Sequence, residues 1–176
     1  MAAPGFHRFK RAIYALLALN LALYAAFGSA FQIVDTAAWI VLLVLFEIET
    51  AHGERLTPGR VLAIHLLRLG AAAAVLVAAV GYLMERQWLD AANTWLWVAV
   101  VLLLELEVRF PRQVEARRRL FWTLTGALYA LLAALVPAWA WRGEWLDAWD
   151  AALWLTAFFA IELNVLERQN GYPAAS

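Results

Sequence analysis

The chain contains no cysteine and only three histidines, and these two shortages exclude several kinds of site. Without cysteine there is no disulfide framework, no thiolate nucleophile and no thiolate ligand for zinc or an iron–sulfur cluster. No second histidine stands at helical spacing from His7 or His65, so neither a metal site nor a haem is expected. The sequence therefore predicts a protein without a bound metal or cofactor.

Charged residues are also few, and their positive and negative charges sum to zero. Only 16% of the residues are charged and the formal net charge is zero, whereas soluble domains carry about 25% charged residues. A neutral chain has no field that would attract nucleic acid. The Gly-rich phosphate loop, the Ser-His-Asp arrangement and the HExxH motif are all missing. We expect no enzyme activity and no nucleic-acid partner.

Apolar residues are what the chain has in excess. They make up 65% of it and include ten tryptophans, and the mean hydropathy is +0.67. A transmembrane helix needs about 20 apolar residues, and tryptophan favours the membrane–water interface. The sequence predicts an all-α integral membrane protein with six spans, the second and fourth short, near residues 12–33, 37–49, 61–84, 94–108, 120–141 and 148–166.

Basic residues are unevenly distributed along the predicted path. Arg86 and Arg142 fall on one side, Arg68 lies within a helix, and the remaining Lys and Arg fall on the other side. The positive-inside rule then places both termini in the cytoplasm, and we expect the inner membrane of a bacterial cell. The stretches "GSAFQIVDT", "ERQWLD" and "RGEWLDAWD" are expected as outer loops. The run "ARRRLF" is expected as a topology signal and phospholipid contact.

The even-numbered spans share one pattern: Asp or Asn, then Trp four residues later, Glu eight residues after that, and Glu or Asn two further on. Its copies are spaced by 58 and then 57 residues: Asp35, Trp39, Glu47, Glu49; Asn93, Trp97, Glu105, Glu107; Asp150, Trp154, Glu162, Asn164. This spacing predicts one membrane domain, 1–176, of three helical hairpins over about 7–54, 60–112 and 117–169, with a short tail at 170–176. Hairpins with two spans each enter the membrane in the same orientation, so a pseudo-threefold arrangement of parallel repeats is expected.

The acids that recur in every copy are Glu47, Glu105 and Glu162. Glu47 lies twelve residues after Asp35, or roughly 18 Å along a helix, which is just past the middle of a core about 30 Å thick. Three such acids at one depth predict a ring if they face the bundle axis. Glu49 and Glu107 lie about 200° further around their helices, so they cannot share a face with Glu47 and Glu105.

An ionisable side chain inside the membrane costs on the order of 2.5 to 3.5 kcal/mol, so it calls for a partner or a function. Arg68 is expected to meet Glu47 or Glu105, or to extend to the headgroups. Arg109 stands four residues after Glu105, the spacing of a helical salt bridge. Supporting or pairing roles are therefore expected for Arg68, Arg109, Glu49, Glu107 and Asn164, and packing or interface anchoring for Trp39, Trp97 and Trp154.

The stretches "LFEIET", "LLLELEVRF" and "AFFAIELNVLE" resemble the second helix of voltage-sensor domains in the ion-transport superfamily. That helix carries Phe, two residues and then Glu, as in Phe46 with Glu49 and Phe159 with Glu162. The resemblance implies that Glu49 and Glu162 act as counter-charges to cationic side chains. Since no helix has Arg at every third position, it implies a static relative of such a helix pair.

Two functions follow from these patterns. The first is permeation or transport of a cation or proton through the ring of Glu47, Glu105 and Glu162. The second is a non-catalytic structural or assembly subunit in which Glu–Arg pairs lock the hairpins together. The expected partners are the lipid bilayer and either a second copy of the chain or other membrane subunits.

Overall fold

The computed structural model describes the backbone of residues 4–52 and 56–170, and the side chains of 9, 11–49, 52 and 56–159. Throughout these residues the chain is helical, with short turns and no strand. The helices are α1 (Pro4–Phe27), α2 (Ala30–His52), α3 (Pro58–Met84), α4 (Trp88–Arg109), α5 (Pro111–Ala116), α6 (Arg118–Arg142) and α7 (Trp145–Asn170). The predicted all-α class is confirmed.

Four helices in the described part of the chain are long and apolar enough to cross a membrane. They are α2 over Ala30–Glu49, and α3, α4 and α6 over their full lengths, while α1 contributes a shorter apolar segment, Arg11–Phe27. These helices agree with a multi-pass membrane protein.

The first predicted span, 12–33, is wrong at its end, because the helix stops at Phe27 and a new one begins at Ala30. The new start is an N-terminal capping box. The Ser29 hydroxyl accepts a hydrogen bond from the backbone N–H of Gln32 (3.3 Å), and the Gln32 amide oxygen accepts one from that of Ser29 (2.8 Å). This reciprocal pair satisfies donors that a helix start leaves open. The Ser-x-x-Gln spacing was a readable signal within the stretch expected as a loop.

The two other predicted outer loops are also shorter than expected. In "ERQWLD" and "RGEWLDAWD" the letters "WLD" already form the first turns of α4 and α7, where Asp90 and Asp147 stand in favourable positions for the helix dipole. The turns between helices need a left-handed residue, Arg86 at φ 59° and Gly143 at φ 78°. The turn between α3 and α4 is therefore three residues long, and the turn between α6 and α7 is two residues long.

Helix α5 was not predicted at all. Its first residue is Pro111, whose missing N–H costs nothing at a helix start. The same proline disfavours helical geometry at Phe110, which has φ −127° and ψ 52°, and so ends α4. The chain between the long helices α4 and α6 is therefore a short, ordered helix with Val114 buried.

The chain forms two compact units. The central unit is Leu19–Trp95 and the terminal unit comprises Met1–Ala18 and Leu96–Ser176. In the central unit α2 packs against α3, and in the terminal unit α6 packs against α7 and contacts α5. Each unit is described separately below.

Helix α6 shows most clearly how this chain fits a bilayer. It exposes Leu120, Leu124 and Leu131, and little of its apolar segment is buried within the chain. Two exposed tryptophans, Trp122 and Trp141, mark its ends. They are 19 residues apart, or roughly 28 Å along a helix, close to the thickness of a hydrocarbon core of about 30 Å.

Candidate functional site

A buried carboxylate lies at the end of the central unit where α2 begins and α3 ends. Asp35 is in the second turn of α2, and its side chain is buried. Thr94 in α4 donates a hydrogen bond from Oγ1 to Asp35 Oδ2 at 2.9 Å, and Tyr82 in α3 donates from its hydroxyl to the same oxygen at 3.3 Å. One carboxylate therefore ties three helices together.

The donors around Asp35 are neutral groups. The Trp39 indole, one turn further along α2, also approaches the carboxylate. Oδ1 accepts no hydrogen bond from the described residues within ordinary geometric limits. Hydroxyl donors compensate the desolvation of a carboxylate without adding a counter-charge. This arrangement can hold helices in place, and no basic side chain among the described residues forms a hydrogen bond with Asp35.

Small and aromatic residues enclose the hydrogen bonds of Asp35. Tyr82 packs with Ala78 and Ala91, and the ring of Phe31 meets Tyr82 edge-on with ring centroids 6.3 Å apart. Gly81 is needed beside them, because a Cβ there would collide with the Phe31 ring. The close packing excludes water from the hydrogen bonds, which strengthens them.

A second tie joins the same two helices near their other ends. The guanidinium of Arg68 in α3 forms an ion pair with the carboxylate of Glu49 in α2. We expected Arg68 to meet Glu47 or Glu105, but its partner is Glu49. The side chains are 40% and 30% exposed, so this pair is more protected than a surface pair.

The two polar contacts show that α2 and α3 run antiparallel and keep the same register between them. Asp35 and Glu49 are 14 residues apart on α2, and Tyr82 and Arg68 are 14 residues apart on α3. Both separations correspond to roughly 21 Å of helix. The polar contacts therefore fix the register of two helices whose remaining surface is largely apolar.

The three recurring glutamates occupy equivalent positions in their helices. Glu47, Glu105 and Glu162 each lie 17 residues after the first residue of α2, α4 and α7, or roughly 26 Å along the helix. Each of these helices begins five residues before the Asp or Asn of the motif. The depth of the three acids in a membrane stays a prediction.

Their side chains have different surroundings. Glu47 is half-buried in the central unit. Glu105, in the terminal unit, is exposed and forms an ion pair with Arg109 one turn further along α4. Glu107 is exposed, whereas the side chains of Glu162 and Asn164 lie outside the described residues.

The motif tryptophans contribute mainly to packing. In the terminal unit Trp97 is buried and lies 4.6 Å from the Phe158 ring and 6.3 Å from the Tyr129 ring, measured between centroids. Trp154 is buried and 6.3 Å from Phe158. These rings join α4, α6 and α7. Trp39 is half-buried near Asp35 in the central unit.

Tyr82 and Thr94 were not recognised from the sequence, although a signal for them exists. At the repeat offsets of 58 and 57 residues, Tyr82 corresponds to Tyr24 and Trp139, and Thr94 to Thr36 and Ala151. All six side chains are buried. Charged residues and tryptophan define the repeated motif, whereas these hydroxyl donors lie outside it.

Within the described residues no group of three or more His, Asp or Glu side chains is arranged to hold a metal ion. Comparison with known proteins adds no assignment, since no protein-family model, curated protein or solved structure matches the chain. The contacts of the described side chains are therefore the basis for the function proposed for this chain.

Proposed function

We propose that this chain is a non-catalytic structural or assembly subunit of a membrane complex, in which acidic side chains tie transmembrane helices together. The Glu49–Arg68 pair carries the proposal, because it joins α2 to α3 and compensates each charge with the other. Asp35 serves the same purpose through hydroxyl groups. Charged groups with such partners near helix ends are explained by packing and need no transported ion.

The proposed architecture has six spans in three parallel hairpins, with both termini in the cytoplasm. It is supported by the equal positions of three glutamates in α2, α4 and α7, and by the matching burial of Tyr24, Tyr82 and Trp139. The turns add further support. The amide of Gln87 donates to the Tyr82 carbonyl (2.9 Å) and that of Glu144 to the Trp139 carbonyl (3.0 Å), an offset of 57 residues in both partners.

A partner subunit is proposed because α6 leaves most of its apolar surface free within the chain. Lipid can cover this surface, and so can an apolar helix of another subunit. A structural subunit should co-purify with such a partner from its native membrane. Its acids should contribute to stability and not to flux.

A double-mutant cycle on Glu49 and Arg68 tests whether the acid acts as a tie. With Glu49→Gln, Arg68→Gln and the double variant, we expect a coupling energy of about 1 kcal/mol, since polar side-chain pairs between transmembrane helices average roughly 0.6 and reach at most about 1.7 kcal/mol. Unfolding titrations in mixed micelles measure it.

The matched control is the cycle on Glu105 and Arg109, an exposed pair within one helix. Such pairs contribute about 0.3 to 0.5 kcal/mol. A coupling for Glu49 and Arg68 no larger than this control would contradict the role of the pair as an interhelix tie.

The competing proposal is transport of a proton or cation by Glu47, Glu105 and Glu162, and the observation that favours it is the recurrence of an acid at one helical position. Flux through reconstituted vesicles separates the two. As a structural subunit, the chain should leave a proton or K⁺ gradient intact, and the triple Glu→Gln variant should behave identically. A gradient that wild-type protein dissipates and the triple variant preserves would establish transport and overturn the structural proposal.

A further inference from the structure

The connection between α4 and α6 carries a surplus of positive charge. From Arg109 to Arg119 the sequence contains five arginines and one glutamate. The segment includes the short helix α5 and joins two helices that are each long enough to span a membrane. Because it links the ends of two such helices, it must lie at a membrane surface.

Two of these arginines are already engaged by protein groups. Arg109 pairs with Glu105. Arg118 lies 3.6 Å from the Glu115 carboxylate, and its guanidinium is 5.8 Å from the centroid of the Trp122 ring. These contacts neutralise part of the charge and hold the Arg118 side chain beside the first turns of α6.

The other three arginines, Arg112, Arg117 and Arg119, are exposed and make no ion pair with the described residues. They are called the arginine patch. Exposed apolar side chains lie beside them in sequence, at Phe110, Leu120 and Trp122. A soluble anion would interact with the guanidinium groups alone. A phospholipid presents a phosphate to the arginines and an acyl chain to the neighbouring apolar side chains.

We propose that the arginine patch binds the phosphate groups of anionic phospholipids. Each guanidinium offers a planar fork of donors that matches two phosphate oxygens. An anionic leaflet attracts basic residues next to a span by about 1 kcal/mol each. Trp122 and Leu120 contact the boundary between headgroups and acyl chains, which places the patch at headgroup level.

The opposite end of α6 lacks this property. There Arg142 has its own partner, the carboxylate of Glu144 at 3.0 Å, and Asp147 follows in the first turn of α7. The surplus of unpaired arginine is therefore confined to the α5 end of the helix, and Arg142 provides a matched control.

Native mass spectrometry of the whole protein, titrated with phosphatidylglycerol or phosphatidylcholine, tests the proposal. We expect phosphatidylglycerol to bind more tightly, with an affinity that falls as salt rises. Each of Arg112→Gln, Arg117→Gln and Arg119→Gln should weaken it about fivefold. Arg142→Gln should leave it unchanged. Circular dichroism of each variant checks that the helices remain formed, and the single variants serve if the triple variant does not fold.

Three results would overturn the proposal. One is equal affinity for the two lipids. Another is a loss of binding in Arg142→Gln as large as in the patch variants. The third is complete displacement of phosphatidylglycerol by millimolar inorganic phosphate, which would identify the ligand as free phosphate. These outcomes do not depend on whether the chain is a structural subunit or a transporter.

Discussion

Replacing Asp35 with alanine should lower the free energy of unfolding by about 3 kcal/mol. The change removes the acceptor of two buried hydrogen bonds, and each buried donor left without a partner costs about 1 to 3 kcal/mol. Asp35→Asn should cost less, because it keeps one oxygen. Unfolding titrations in mixed micelles give the differences.

Most of this destabilisation should disappear when the donors are removed together with the acceptor. Adding Tyr82→Phe and Thr94→Val to Asp35→Ala leaves an apolar site without orphaned hydroxyls, and its stability should return to within about 1 kcal/mol of wild type. The two donor changes alone should destabilise, since they take both hydroxyl donors away from a buried carboxylate. A triple variant as unstable as Asp35→Ala would show that the hydrogen bonds are not what Asp35 contributes.

Replacing Trp97 with alanine should also cost about 3 to 5 kcal/mol, because it opens a cavity where α4, α6 and α7 meet. The neighbouring rings of Phe158 and Tyr129 would lose the surface against which they pack. Near-ultraviolet circular dichroism should report the loss of ordered aromatic packing, and unfolding titrations should report its magnitude.

Trp141→Ala is the control for Trp97→Ala. Trp141 is 93% exposed, so its removal opens no cavity and should change stability by less than about 0.5 kcal/mol. Equal losses from the two variants would contradict the assignment of Trp97 to a packed core and would favour a shared interfacial role for the tryptophans.

A pattern of residue types predicts where an acid lies along a helix better than it predicts the role of that acid. The recurring Glu predicts a ring, whereas Glu105 is paired within its own helix and Glu47 is half-buried in the central unit. The Asp at the start of the motif, expected near a loop, is instead the centre of a buried network. An acid's sequence position predicts its place along a helix, whereas its role depends on which helices approach it.

Sequence alone determined the helical class, the apolar spans and the spacing of the repeated motif, because composition and period are local properties of the chain. It also contained the capping box at Ser29 and the helix-starting Pro111, which mark helix boundaries through backbone groups only a few residues apart. Such signals are readable once the hydrogen bonds they satisfy are considered.

Only the tertiary structure decided which polar groups meet. Arg68 could reach several acids by length, and it pairs with Glu49 because Glu49, about 200° around the helix from Glu47, lies on the face of α2 that packs against α3. The contacts of Asp35 with Tyr82 and Thr94 join residues 47 and 59 positions apart. These helices are apolar on nearly every side, so no amphipathic face predicts which side packs against a neighbouring helix. Packing in the folded chain therefore determines which side chains become partners.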